Sequence, residues 1–147
     1  MQIRAYRDED FSTLCQIFLR AVRETASQHY SPAQINAWAQ VDDARWRQKL
    51  ANSRVLVAEK EGGVVGFITA VDCYIDLLFV APEYSRLGIA SALLTSLFAL
   101  IPTGTLTVEA SITARPCFER LGFQVVAEQR VESRGEEFVN YRMEKRR

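Results

Sequence analysis

The sequence predicts an α/β fold, a sheet with helices packed on it, and three observations carry that prediction. Residues 75–101 read in succession as an apolar strand, a tight turn and a helix. Two Val-rich segments, Arg54 to Lys60 and Val64 to Val71, flank Glu61-Gly62-Gly63, the sequence of a hairpin turn. Thr105 to Ala110 alternates strictly, with Leu106, Val108 and Ala110 on one face. A chain of 147 residues that is 48% hydrophobic is ample for one core and too short to favour two, so one domain over residues 1–147 is expected.

Each element has a local reason. Ile3 to Arg7 alternates as an edge strand does, and Asp8, Glu9 and Asp10 then place negative charge where a helix start favours it. Phe11, Leu14, Ile17, Phe18, Ala21 and Val22 give that helix one apolar face running to about Ala26. Ser31-Pro32-Ala33-Gln34 is a second start: Ser as cap, Pro in the first turn, Gln three residues after the cap. Asp42 or Asp43 can cap a further helix carrying Trp46 and Leu50. The run Ile75 to Ala81 is continuous enough for a strand buried on both faces, and Pro82 ends its ladder. Gly88, Ala90 and Ser91 open a helix continued by Leu93, Leu94, Leu97, Phe98 and Ile101. After Pro102-Thr103-Gly104 and the alternating strand, Ile112 to Leu121 reads as a short helix closed by Gly122. Phe123 to Val131 and Glu137 to Met143 finish as a hairpin around Ser133-Arg134-Gly135-Glu136.

Composition excludes several classes. Eighteen basic residues balance eighteen acidic ones, so no positive footprint for nucleic acid is expected, and Lys145-Arg146-Arg147 reads as a solvated tail. The first ten residues lack the apolar segment of a signal peptide, and Ile89 to Ile101 is too short for a membrane span; a cytoplasmic protein is the expectation. Cys15, Cys73 and Cys117 are scattered, which suggests free thiols rather than disulfides or a metal site.

The start of the helix after Pro82 carries the chemistry. Unpaired N–H groups and the dipole at a helix N-terminus attract a pyrophosphate, and small residues keep the approach open. Small residues also suit ordinary helix packing, so the second block, Phe118-Glu119-Arg120-Leu121-Gly122-Phe123, decides the reading. Ser85-Arg86-Leu87-Gly88-Ile89-Ala90 resembles the Gln/Arg-x-x-Gly-x-Gly/Ala pattern of the GNAT superfamily of N-acetyltransferases, and the second block resembles its Phe-Glu-Lys-x-Gly-Phe ending. Residues 25–32 and 35–39 extend the similarity, towards the YafP-type branch of bacterial acetyltransferases.

The resemblance implies the GNAT fold, a mixed, mostly antiparallel sheet flanked by helices with strands splayed where coenzyme A enters. It implies acetyl-CoA as the acetyl donor. It also implies that the main chain of Leu78, Phe79 and Val80 holds the pantetheine arm, and that the N–H groups of Arg86, Leu87, Gly88, Ile89, Ala90 and Ser91 hold the pyrophosphate, with Ser111 and Phe118 beside the cofactor. In many relatives the general base is a carboxylate on the central strand; here Tyr74 and Asp76 occupy that stretch, and Asp76 is its only carboxylate. Glu109 on the next strand is the second candidate, its alternative being an outward, solvated side chain. The usual acid, a tyrosine, is replaced by Phe118, which has no proton to give; Ser111, Cys117, Tyr141 or water would then serve. Ser85 likewise stands where the pattern has Gln or Arg. His29, Tyr30 and Trp38, with Trp46, either line the acceptor pocket or belong to loop and core.

The expected function is acetyl transfer from acetyl-CoA to a primary amine, a small molecule acting as acceptor, by direct attack with general-base help. Acetylation of a protein lysine or N-terminus and a non-catalytic acyl-CoA-binding module are the alternatives. A homodimer through an exposed edge strand is left open.

Overall fold

The structure is a computed structural model describing residues 1–146; Arg147 lies outside the described residues. Its frame is a seven-stranded sheet of order β1-β2-β3-β4-β5-β7-β6. The strands are β1 (Gln2–Ala5), β2 (Arg54–Lys60), β3 (Gly63–Val71), β4 (Tyr74–Val80), β5 (Thr105–Ser111), β6 (Gln124–Ser133) and β7 (Glu136–Arg146). All neighbours are antiparallel except β4 and β5, which are parallel and pair only at Tyr74–Thr107 and Ile75–Val108. Beyond Ile75 the two strands part. That opening, at the middle of the sheet, is where the cavities lie.

The helices are α1 (Phe11–Arg20), α2 (Pro32–Trp38), α3 (Asp43–Ala51), α4 (Ile89–Leu100) and α5 (Arg115–Arg120). The expected caps form. Ser31 Oγ accepts from Gln34 N–H at 3.2 Å while Gln34 Oε1 accepts from Ser31 N–H at 2.8 Å, and Asp42 accepts from Arg45 N–H at 3.1 Å. α1 departs from expectation: after Arg20 it widens into a π-turn at Ala21–Thr25 and tightens into a 3-10 turn at Ala26–Gln28. α5 is also shorter than expected, because Ser111 Oγ accepts from Ala114 N–H and the chain turns once before the helix begins. Asp10 does more than answer a helix dipole: its carboxylate, almost buried, takes two hydrogen bonds from Arg4, at 2.9 and 3.0 Å.

Two apolar layers cover the sheet. One joins α1, α2 and α3 to Val57, Phe67 and Phe138; the other joins α4 and Phe118 to Ile68, Leu106 and Met143. Lys145 and Arg146 of the expected solvated tail are in β7 instead, and the Lys145 ammonium donates to Leu121 C=O at 2.7 Å; Arg147 of that tail lies outside the described residues. The three cysteines are free.

Candidate active site

β4 does not alternate as a regular strand. Thr69 faces Leu77 and Ala70 faces Ile75, so Asp76 is an extra residue in a β-bulge. The amide N–H of Leu77 donates to Thr69 Oγ1 at 3.1 Å, which satisfies a group the bulge takes out of the ladder. The extra residue exchanges the faces: Ile75 packs under α4, whereas Leu77 and Phe79 pack on the α1 side. It also aims Asp76 at Lys49 of α3, 2.8 Å away. The cost of a carboxylate within an apolar strand is thereby met by an ion pair. The expectation of a strand buried on both faces fails for most of β4. Only Ile75 is fully buried; Leu77 to Val80 are half-buried, because the parting of β4 from β5 exposes them to the cavities.

On β5 the outward Glu109 is held rather than merely solvated. It accepts from the Tyr74 hydroxyl at 3.1 Å and from the Gln129 amide at 3.1 Å; Gln129 also donates to Asn140 Oδ1 at 3.0 Å. Burial, then the negative charges of Glu109 and Asp76, push the Tyr74 hydroxyl well above its ordinary range, so it stays protonated at any working pH. Tyr74, Asp76 and Glu109 therefore share one wall of a cavity of about 410 Å³.

The other walls of that cavity include Tyr30, Trp38, Phe79 and Phe138, whose rings touch one another at centroid distances of 5.5 to 6.4 Å. Tyr30 is fixed by accepting from Ile112 N–H at 2.9 Å and donating to Val139 C=O at 3.1 Å. His29 lies outside the residues that line the cavity; it is exposed, with Nδ1 2.8 Å from Thr113 Oγ1. Trp46 is half-buried and packs against the core, its ring 4.7 Å from that of Phe18.

A second cavity of about 240 Å³ lies on the α4 side of the opening. Its floor is Leu78, Phe79 and Val80, and its rim is the turn Ser85, Arg86, Gly88, Ile89, Ala90 and Ser91. Arg86 and Gly88 both have left-handed backbone, φ 62° and 79°, which coils the turn below the N-terminus of α4. A Cβ on Gly88 would meet nothing within 4 Å; the space before it is open, as a bound pyrophosphate needs. The residues present thus fit coenzyme A. Cys117 and Arg120 lie beside the same turn, and burial raises the Cys117 thiol pKa, which argues against a ready thiolate. Leu87, expected in the turn, is largely exposed.

The two cavities share Trp38, Leu78, Phe79, Ser111 and Ala114. Phe118 borders the first and is 2% exposed, its ring packed on Phe123 at 5.1 Å. Tyr141 stands apart from both, under the Arg115 guanidinium at 4.4 Å. Lys49, Gln129, Asn140 and Arg134 were not anticipated. Polar Gln129 and Asn140 at facing positions of a hairpin were the available signal.

A mixed sheet whose parallel neighbours part beside a coiled helix start is the frame that the resemblance to acetyltransferases implies. Residues 26–145 match the model of the acetyltransferase (GNAT) domain. The chain belongs to the GNAT family of acetyl-CoA-dependent N-acetyltransferases. It is 58% identical over 143 residues to YafP, an uncharacterized N-acetyltransferase of Escherichia coli (strain K12), covering 97% of this chain and 94% of that one. The crystal structure of a GCN5-related N-acetyltransferase from Rhodopseudomonas palustris superposes with a TM-score of 0.95 at 29% identity, over 99% of this chain and 95% of that one. The PaiA N-acetyltransferase of Thermoplasma acidophilum, solved with coenzyme A, shares the fold with a TM-score of 0.79 at 18% identity, over 99% and 98% of the two chains. No helix among the described residues is long and apolar enough to cross a membrane.

Proposed function

We propose that this enzyme acetylates the primary amine of a small molecule in the cytoplasm, with acetyl-CoA in the smaller cavity and the amine in the larger. The observation that carries the reading is the junction of the two cavities at Leu78, Phe79 and Ser111, where β4 has left β5. Acetyl-CoA supplies a thioester carbonyl for the amine nitrogen to attack, with loss of the coenzyme A thiol. The main chain of Leu78, Phe79 and Val80 would hold the pantetheine arm, and the amides of Arg86 to Ser91 would hold the pyrophosphate.

An alkylammonium with an ordinary pKa near ~10.4 must lose a proton before it can attack. Asp76 takes that proton, directly or through water. Glu109 and the protonated Tyr74 hold the nitrogen on its approach. With Phe118 in the usual place of a tyrosine, the thiolate leaves unaided or is protonated by water; its ordinary pKa of about 8.5 makes that tolerable. The aromatic walls favour an acceptor with an apolar or aromatic body.

Free coenzyme A released by the purified protein, measured over arylamines, alkylamines, polyamines, amino acids and peptides, tests the reading. Turnover confined to small amines and lost in Asp76→Asn supports it. Turnover on peptides alone, or tight acetyl-CoA binding with no turnover, contradicts it.

A further inference from the structure

The larger cavity is electrically two-ended. Asp76 and Glu109 lie on its β4–β5 wall, while Arg134, at the tip of the β6–β7 hairpin, is its one cationic side chain among the described residues. Arg134 has left-handed backbone, φ 48°, in the turn that joins the strands. From there its guanidinium reaches back to α2, where Nη1 donates to Ala37 C=O at 2.8 Å. That hydrogen bond holds the group next to Trp38, which itself lines the cavity.

Arg134 has no carboxylate within ion-pair distance among the described residues, whereas Arg130 of the same hairpin pairs with Glu137 at 2.8 Å. A guanidinium has five N–H donors in a rigid fork, and the bond to Ala37 engages one of them. The rest suit a carboxylate, which accepts two parallel N–H bonds.

Resting on the reading of this cavity as the acceptor site, we infer that the acceptor is an aminocarboxylate. Its amine lies at Asp76 and Glu109, its carboxylate at Arg134, and an apolar body between them meets Trp38 and Phe79. Such a ligand sets its ammonium beside Glu109 and Asp76, the latter shared with Lys49, and its carboxylate beside a guanidinium whose bond to Ala37 C=O leaves donors to spare; a neutral-tailed amine makes no use of them. Arg134 is exposed, so discrimination comes from the paired charge-assisted bonds that a carboxylate adds.

The test compares matched pairs that differ only in the anion: 4-(aminomethyl)benzoate against benzylamine, and 6-aminohexanoate against hexylamine. Coenzyme A release gives kcat and KM, and calorimetry gives binding of each compound to the coenzyme A-loaded protein. Three variants accompany the wild type. Arg134→Ala removes the group, Arg134→Gln keeps a donor for Ala37 without the charge, and Arg134→Lys keeps the charge without the fork. The wild type should prefer the carboxylate of each pair by tenfold or more in kcat/KM. Arg134→Gln and Arg134→Ala should erase that preference by raising KM for the carboxylate of each pair, and Arg134→Lys should restore part of it.

Equal use of both members, a preference for the neutral ones, or losses in Arg134→Gln shared equally by both would overturn the inference. Carboxylate-selective binding that depends on Arg134 but comes without turnover would uphold it while refuting acetyl transfer at this site. The absence of selective binding, with or without turnover, overturns it.

Discussion

Asp76 shows how one residue acquires its surroundings. An aspartate inside an apolar strand announces itself in a sequence, and so does the glutamate of an alternating strand. Their partners do not: Lys49 comes from a helix, and Gln129 from a strand formed later in the chain. If Asp76 is the base, Asp76→Asn lowers kcat by a factor of 100 or more, the ordinary worth of a general base, and leaves the acetyl-CoA dissociation constant within about twofold. Stopped-turnover assays beside calorimetry check both halves. Asp10 carries a different kind of prediction. Hydrogen bonds from Arg4 hold its carboxyl below the ordinary value of 3.8, against the opposing effect of burial. A depressed pKa means stability that is present above pH 4 and lost as pH falls through the native value. Thermal melts from pH 7 to pH 2.5 should show that loss in the wild type. Asp10→Asn should melt lower at pH 7, by about 2 kcal/mol for the lost charged hydrogen bonds, and show a shallower acid decline.

Local signals predicted elements well wherever the reason for the element was itself local. The Ser31-Pro32-Gln34 cap formed as expected, and Ser31→Ala should cost about 1 kcal/mol in denaturant unfolding. Elements shaped by packing were illegible. The widening of α1 at Ala21–Thr25 and the bulge at Asp76 both depend on chains that come from elsewhere, and periodicity within either segment gives no sign of them. Gly66 of β3 illustrates the dependence. A Cβ there would stand 3.2 Å from Ile89 Cγ2, 3.2 Å from Phe79 C=O and 3.3 Å from Val80 Cγ2. It touches both the floor of the coenzyme cavity and the first residue of α4. Gly66→Ala should destabilise the fold by about 1–3 kcal/mol through overpacking, and should weaken acetyl-CoA binding more than a surface substitution of equal stability cost.

At the scale of the molecule, the resemblance in two short blocks announced the sheet with its splayed strands, and the model of the family matches most of the chain. What the blocks do not contain is the larger cavity. It is assembled from α2, β4, β5 and the β6–β7 hairpin, so its aromatic walls and its two-ended charge follow from tertiary placement alone. In the proposed mechanism, a ligand lying along β4 brings its thioester through the parted strands to the carboxylates on the other side. A crystal structure with acetyl-CoA would examine that. The pyrophosphate should lie on the amides of Arg86 to Ser91 and the acetyl group at the junction of the cavities, pointing towards Tyr74, Asp76 and Glu109. A pyrophosphate bound elsewhere, or an acetyl group turned away from that wall, would contradict it.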